Sequence, residues 1–184
     1  EAVNKLLASG LENVIDFSRH VKDPYRLGSV LAEVELKDSD EKRLLKLLNE
    51  DEFLISQGYV YRKFLNEQFD WLDTINIDGI CTEGRVRLLI QLPNGKLVWD
   101  KVKEFLGEKE NDYWKEVDIR HVENGSEYDY ALEKLLKCNR PVKAIELIRM
   151  ALHEKREFSK ELAAKALNDA IFDQENINYI DVYH

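Results

Sequence analysis

Residues 126–172 read SEYDYALEKLLKCNRPVKAIELIRMALHEKREFSKELAAKALNDAIF, and their spacing decides the fold. Tyr128, Ala131, Leu132, Leu135 and Leu136 recur at the helical period behind Ser126, a residue type that caps helices. Asn139-Arg140-Pro141 interrupts the pattern, because proline lacks an N–H and restrains the residue before it. Ile145, Ile148, Ala151 and Leu152 then mark the buried stripe of a second helix, so the two form an antiparallel hairpin. Ser159 caps a third helix carrying Leu162, Ala163, Ala166, Leu167, Ala170 and Ile171, whose small residues allow close helix packing.

The same period runs back toward the N-terminus, broken by only 8 Gly and 3 Pro. Tyr113, Trp114 and Val117 suit a short helix; Trp99, Val102, Phe105 and Leu106 suit another, halted by Gly107. Pro93-Asn94-Gly95 turns the chain and separates two possible lobes, 1–92 and 96–184, of a single 1–184 helical domain. Thr82 is placed to cap a helix through Leu92. Leu54, Tyr61, Phe64, Leu65, Phe69 and Leu72 trace a long stripe that Gly58 could split. Asp38 with Glu41 three residues later has the form of a capping box opening a helix with Leu44, Leu45, Leu47 and Leu48. Shorter helices are expected over Ala2–Leu7, Leu11–Val21 and Leu27–Val34. Ile75-Asn76-Ile77-Asp78-Gly79-Ile80 alternates like a strand but lacks a pairing partner, and reads as a loop.

Composition bounds the function. At 44% hydrophobic and 34% charged, the 184 residues can bury a core yet contain no apolar run long enough for a bilayer. The net charge is −9, with acids interspersed among bases as in Asp40-Glu41-Lys42-Arg43, which disfavours a nucleic-acid partner. Cys81 and Cys138 stand far apart without CxxC spacing, so a reducing, cytoplasmic setting fits best. The opening Glu1-Ala2-Val3-Asn4 carries no signal-peptide pattern, and apolar residues still recur at Tyr179-Ile180-Asp181-Val182-Tyr183; both ends read as those of a segment from a larger multidomain protein. Asn124-Gly125-Ser126 matches a glycosylation sequon and equally a turn before a helix.

The hairpin at 126–158 resembles a tetratricopeptide repeat, a helix pair of roughly 34 residues that packs on its neighbours through small and large apolar positions. Tyr128, Ala131, Leu132 and Leu135 stand at the first helix's packing positions, and Ala144, Ile148 and Ala151 at those of the second. Asn139 occupies the turn position where the family usually has Gly, Leu132 replaces a small residue, and Arg156 falls where Pro often ends the unit. No second matching repeat is visible. The resemblance implies an all-α irregular array of antiparallel helix hairpins, an α-solenoid or TPR-like superhelix, in which each hairpin leaves a face for the next to bury.

Motifs for chemistry are sparse. Thr74, Asn76, Asp78 and Gly79 follow the opening of an EF-hand loop, but Arg85 stands where the bidentate Glu belongs, which leaves an Asx-rich turn. His20, His121, His153 and His184 have no second His or Cys at metal-ligand spacing, and no glycine-rich phosphate loop or GxSxG is present. No cofactor, metal site or catalytic residue is assigned, and no small-molecule ligand is indicated. Tyr59, Tyr61, Phe64, Phe69 and Trp71, with Trp99, Tyr113 and Trp114, read as core aromatics rather than a base-stacking platform. The expected function is a non-catalytic scaffold or sensor module binding a protein or peptide. One alternative is a helical enzyme of ribonuclease type using Arg149 and His153, one turn apart on a helix; another is a nucleic-acid-binding array using Arg85, Arg87, Lys96, Lys101 and Lys103.

Overall fold

The computed structural model describes residue 5 and residues 7–51, 53–119, 122 and 125–172. Most of the expected Ala2–Leu7 helix, the sequon residue Asn124, His121, His184 and the recurring apolar residues at 179–183 lie outside the described residues. Every regular element among the described residues is a helix, so the chain is all-α there, and residues 75–80 are loop as the missing pairing partner required. Backbone contacts divide the chain into two compact units, Glu1–Leu92 and Pro93–His184.

The first unit contains α1 (Leu11–Ser18), α2 (Pro24–Leu31), α3 (Asp38–Lys46) continued by a 3-10 turn Leu47–Asn49, α4 (Leu54–Leu72) and α5 (Thr82–Leu89). Asp23 starts α2 by accepting from the Arg26 N–H at 2.9 Å, and Pro24 at the first position loses nothing, because that N–H has no helical partner anyway. Val14, Ile15, Leu31, Leu44, Leu48 and Ile55 are fully buried in the core of this unit.

Three details depart from expectation. The capping box at Asp38 does not form: Lys37 is the N-cap, no side chain caps the helix, and Glu41 points instead toward Tyr59 and Trp71. Gly58 does not split α4. The helix runs through it because a Cβ there would lie 1.8 Å from the Tyr25 carbonyl oxygen, so hydrogen is what lets α2 approach. The break comes at Gln68, whose φ of 51° and ψ of −130° interrupt the helical backbone. At the start of α5 the cap is Cys81, whose Sγ accepts from Gly84 N–H at 3.4 Å, one residue before Thr82, and the helix stops at Leu89.

The second unit contains α6 (Lys96–Leu106) with a 3-10 turn Gly107–Lys109, α7 (Glu110–Glu116), α8 (Gly125–Lys137), α9 (Pro141–His153) and α10 (Lys160–Phe172). Gly107 at φ 54° ends α6 as expected. Ser126 lies within the first turn of α8 rather than capping it. Ser159 does cap α10: its hydroxyl accepts from the Leu162 N–H at 3.3 Å, while Asp129 of α8 accepts from the Ser159 N–H at 2.6 Å. The aromatics form a tight core, with Trp99 against Trp114 and Tyr130 at centroid distances of 5.4 Å each, and Tyr113 edge-on to Trp114 at 5.3 Å. The core reading therefore holds for Trp99, Tyr113 and Trp114, as for Tyr59, Phe64 and Trp71 in the first unit, whereas Tyr61 is exposed.

Candidate functional site

Helices α8, α9 and α10 pack as a three-helix layer in which α10 contacts both α9 and α8. Their termini explain the layer's turns. Asn139 has φ 55°, and the N–H groups of Asn139 and Arg140 donate to the carbonyls of Leu136 and Leu135. Lys155 has φ 56°, and the N–H groups of Lys155 and Arg156 donate to Leu152 and Ala151. Both are Schellman closures, with a non-glycine residue at the left-handed position each time.

The buried side of α9 is Pro141, Ala144, Leu147 and Ala151. This shifts the expected stripe: Ala151 belongs to it, Ile145 and Ile148 are half-buried, and Leu152 is 64% exposed. The stripe rotates because the small residues Ala144 and Ala151, both fully buried, set the line of closest approach. On α10, Ala166 and Ala170 face inward, whereas Leu167 and Ile171, one turn apart, are 53% and 65% exposed with half-buried Ala163 one turn before them. Among the described residues, α10 thus carries an exposed apolar stripe at Leu167 and Ile171.

Arg149 and His153 are both exposed, and with Met150 and Glu154 they line one shallow depression of about 300 Å³. Glu154 accepts from the Tyr128 hydroxyl at 3.1 Å and lies 3.8 Å from the Arg156 guanidinium. Burial first, and the Glu154 carboxylate second, push the Tyr128 phenol up. The depression therefore holds a carboxylate beside the two basic groups.

Four of the five basic residues of the alternative nucleic-acid reading, all but Lys103, do local work. Arg87 donates to the carbonyls of Leu48 and Glu50 at 2.8 and 2.9 Å and lies over the Phe53 ring at 4.2 Å; Arg85 donates to the Ile80 carbonyl at 3.0 Å. Lys96 pairs with Asp100 and Lys101 with Glu104, each at 2.6 Å. In the loop before α5, Asn76 accepts from the Asp78 N–H at 2.7 Å, the Asx turn expected from its sequence. Asn49 fastens this loop by donating to the Gly79 carbonyl and accepting from the Cys81 N–H.

One arrangement was not legible in the sequence. A single Glu41 carboxylate oxygen accepts from the Tyr59 hydroxyl at 2.7 Å and the Trp71 indole at 2.8 Å, and both donors are almost wholly buried. Glu41 also faces a polar cavity of about 510 Å³ lined by Asp38, Ser39, Lys42, Thr74 and Asn76. Its sequence signal was concealed, since a Glu three residues after an Asp carries the same pattern as a capping box.

Compared with family models, curated proteins and solved structures, the chain matches none. The described residues hold no group of three or more His, Cys, Asp or Glu that could bind a metal ion, and no helix among them is long and apolar enough to cross a membrane. The surfaces themselves carry the functional argument.

Proposed function

We propose that this chain is a non-catalytic interaction module, and that the α8–α10 layer extends as a TPR-like array whose open face takes a helix of a protein partner. The observation that supports this is the exposed stripe of Leu167 and Ile171 behind Ala163. A hairpin array leaves such a face on its last helix, and apolar residues at i and i+4 accept an amphipathic helix. The contact of α10 with both α9 and α8 supports the array reading, because a following repeat's first helix touches both helices of the pair before it.

A photocrosslinking residue at Ile171, incorporated in the native cell, tests the proposal. One recurrent protein adduct is expected, and Leu167→Lys should abolish it. Phe17, 44% exposed in the first unit, is the control position. The same adducts from positions 17 and 171, or none from 171, would remove the support.

A second reading has one observation in its favour: Arg149 and His153 share the lining of one depression. A phosphodiester-cleaving site would need those two groups beside the substrate. Such chemistry gains most where water is excluded, and both groups are exposed on an open depression, which is why the interaction module is preferred.

A further inference from the structure

A groove between α6 and α8 has a different chemistry from the α10 face. Its floor is the half-buried Tyr130 ring, which lies 5.4 Å from the Trp99 ring and 29° from parallel; Trp99, 1% exposed, backs it from within the core. The cavity measures about 230 Å³, and Lys96, Asp100, Lys103 and Glu127 stand around it. A dry apolar cavity of about 150 Å³ accepts a benzene ring, so this one has room for a ring and a short polar arm.

The charges around it are unevenly spent. Lys96 is paired with Asp100 at 2.6 Å, and a Glu127 carboxylate oxygen accepts from the Lys96 backbone N–H at 2.8 Å, where it also offsets the positive end of α6. Lys103 lies 5.1 Å from the centre of the Tyr130 ring and is paired with no carboxylate among the described residues. Lys134 approaches the same ring at 5.3 Å and is paired with Glu110. A ligand lying on the aromatic floor therefore meets the Lys103 ammonium, with Asp100 engaged by the Lys96 side chain and Glu127 by the Lys96 N–H.

We propose that this groove binds a small aromatic carboxylate, its ring against Tyr130 and its acid group on Lys103. A cationic ring of the same shape would be repelled by Lys103, and a neutral one would leave that ammonium without a carboxylate. The site is separate from the α10 stripe, and neither reading depends on the other.

The test is an NMR titration of the full chain with 3-phenylpropionate, 3-phenylpropanol and 2-phenylethylamine. The acid should bind in the millimolar range, as its few heavy atoms allow. It should shift resonances of α6 and α8, the alcohol should bind at least tenfold more weakly, and the amine should not bind. Lys103→Glu should weaken the acid at least tenfold, and Lys103→Arg should retain it. N-acetyl-Gly-Gly-Phe carries the same ring and carboxylate at a peptide end; tighter or weaker binding than the free acid assigns the source as peptide or small molecule, and either result upholds the recognition chemistry. Equal binding of acid and amine, an unchanged affinity in a folded Lys103→Glu variant, or shifts confined to other helices would overturn it.

Discussion

Gly28 of α2 and Gly58 of α4 occupy one helix crossing, each facing the other helix's backbone. A Cβ on Gly28 would lie 1.8 Å from the Ile55 carbonyl oxygen, and a Cβ on Gly58 the same distance from that of Tyr25. Ser29 ties the crossing by directing its hydroxyl to the Gly58 carbonyl at 3.2 Å. Backbone atoms cannot rotate aside as a flexible side chain would, so the helices must separate to admit a methyl group. Gly28→Ala and Gly58→Ala should each destabilise the chain by about 3 kcal/mol or more. The double variant should cost less than the two added together, because one separation accommodates both methyls. Gly10→Ala, with no heavy atom within 4 Å of its Cβ but a backbone at φ 98° and ψ 153° that side chains rarely adopt, should cost about 1 to 3 kcal/mol through backbone strain alone. Urea midpoints of the four variants check the order.

Tyr59 gives a pH dependence. Burial first, and the Glu41 carboxylate it donates to second, push its phenol well above the ordinary range, and burial does the same to Tyr113. Above about pH 10 the unfolded chain releases phenolic protons that the folded chain retains, so stability falls as pH rises there, and the full contribution is present below that pH. Tyr59→Phe should lower stability by about 1 to 2 kcal/mol at neutral pH through loss of the hydrogen bond to Glu41. It should also flatten the alkaline decline, leaving the parts due to Tyr113, Tyr128 and Tyr25, whose phenols burial also pushes up. Urea unfolding of both proteins across the alkaline range measures the two slopes.

The two Schellman closures respond differently to glycine. At Lys155 the side chain resists the left-handed backbone, whereas Asn tolerates it at position 139. Lys155→Gly should therefore stabilise by up to about 1 kcal/mol, and Asn139→Gly by less. Asn139→Val should destabilise by about 1 to 2 kcal/mol. Melting temperatures rank the three, and a loss on Lys155→Gly would show that its φ costs nothing in this fold.

Helix type and most helix bounds were legible because apolar spacing and breakers carry that information locally. Gly107 stopping α6, Ser159 capping α10 and the Asx turn at Asn76 each depend on neighbours a few residues away. What escaped depends on distant partners. Gly58 is a packing residue only because Tyr25 lies against it, and Glu41 is a buried acceptor only because Tyr59 and Trp71 converge on it. Arg140, read as part of a turn, donates to the Trp114 and Val117 carbonyls at 2.8 and 2.7 Å and so holds the end of α7 against the hairpin. The groove between α6 and α8 joins residues about thirty positions apart, and only the Trp99 side of it stood out as aromatic in the sequence.

Arg149 and His153 provide the last prediction, that they do not cleave RNA. General acid–base catalysis on a phosphodiester requires two groups held in register around the scissile bond, and it gains most where water is excluded. Here both side chains are exposed on one open depression. Glu154 shares that depression but is held by the Tyr128 hydroxyl and lies beside the Arg156 guanidinium, so it does not fix Arg149 and His153 in register around a bound substrate. Purified wild type and the Arg149→Ala/His153→Ala variant should leave single-stranded RNA equally intact, with circular dichroism showing the variant folded. Cleavage by the wild type that disappears in the folded variant would reverse the assignment and make the α9 depression an active site.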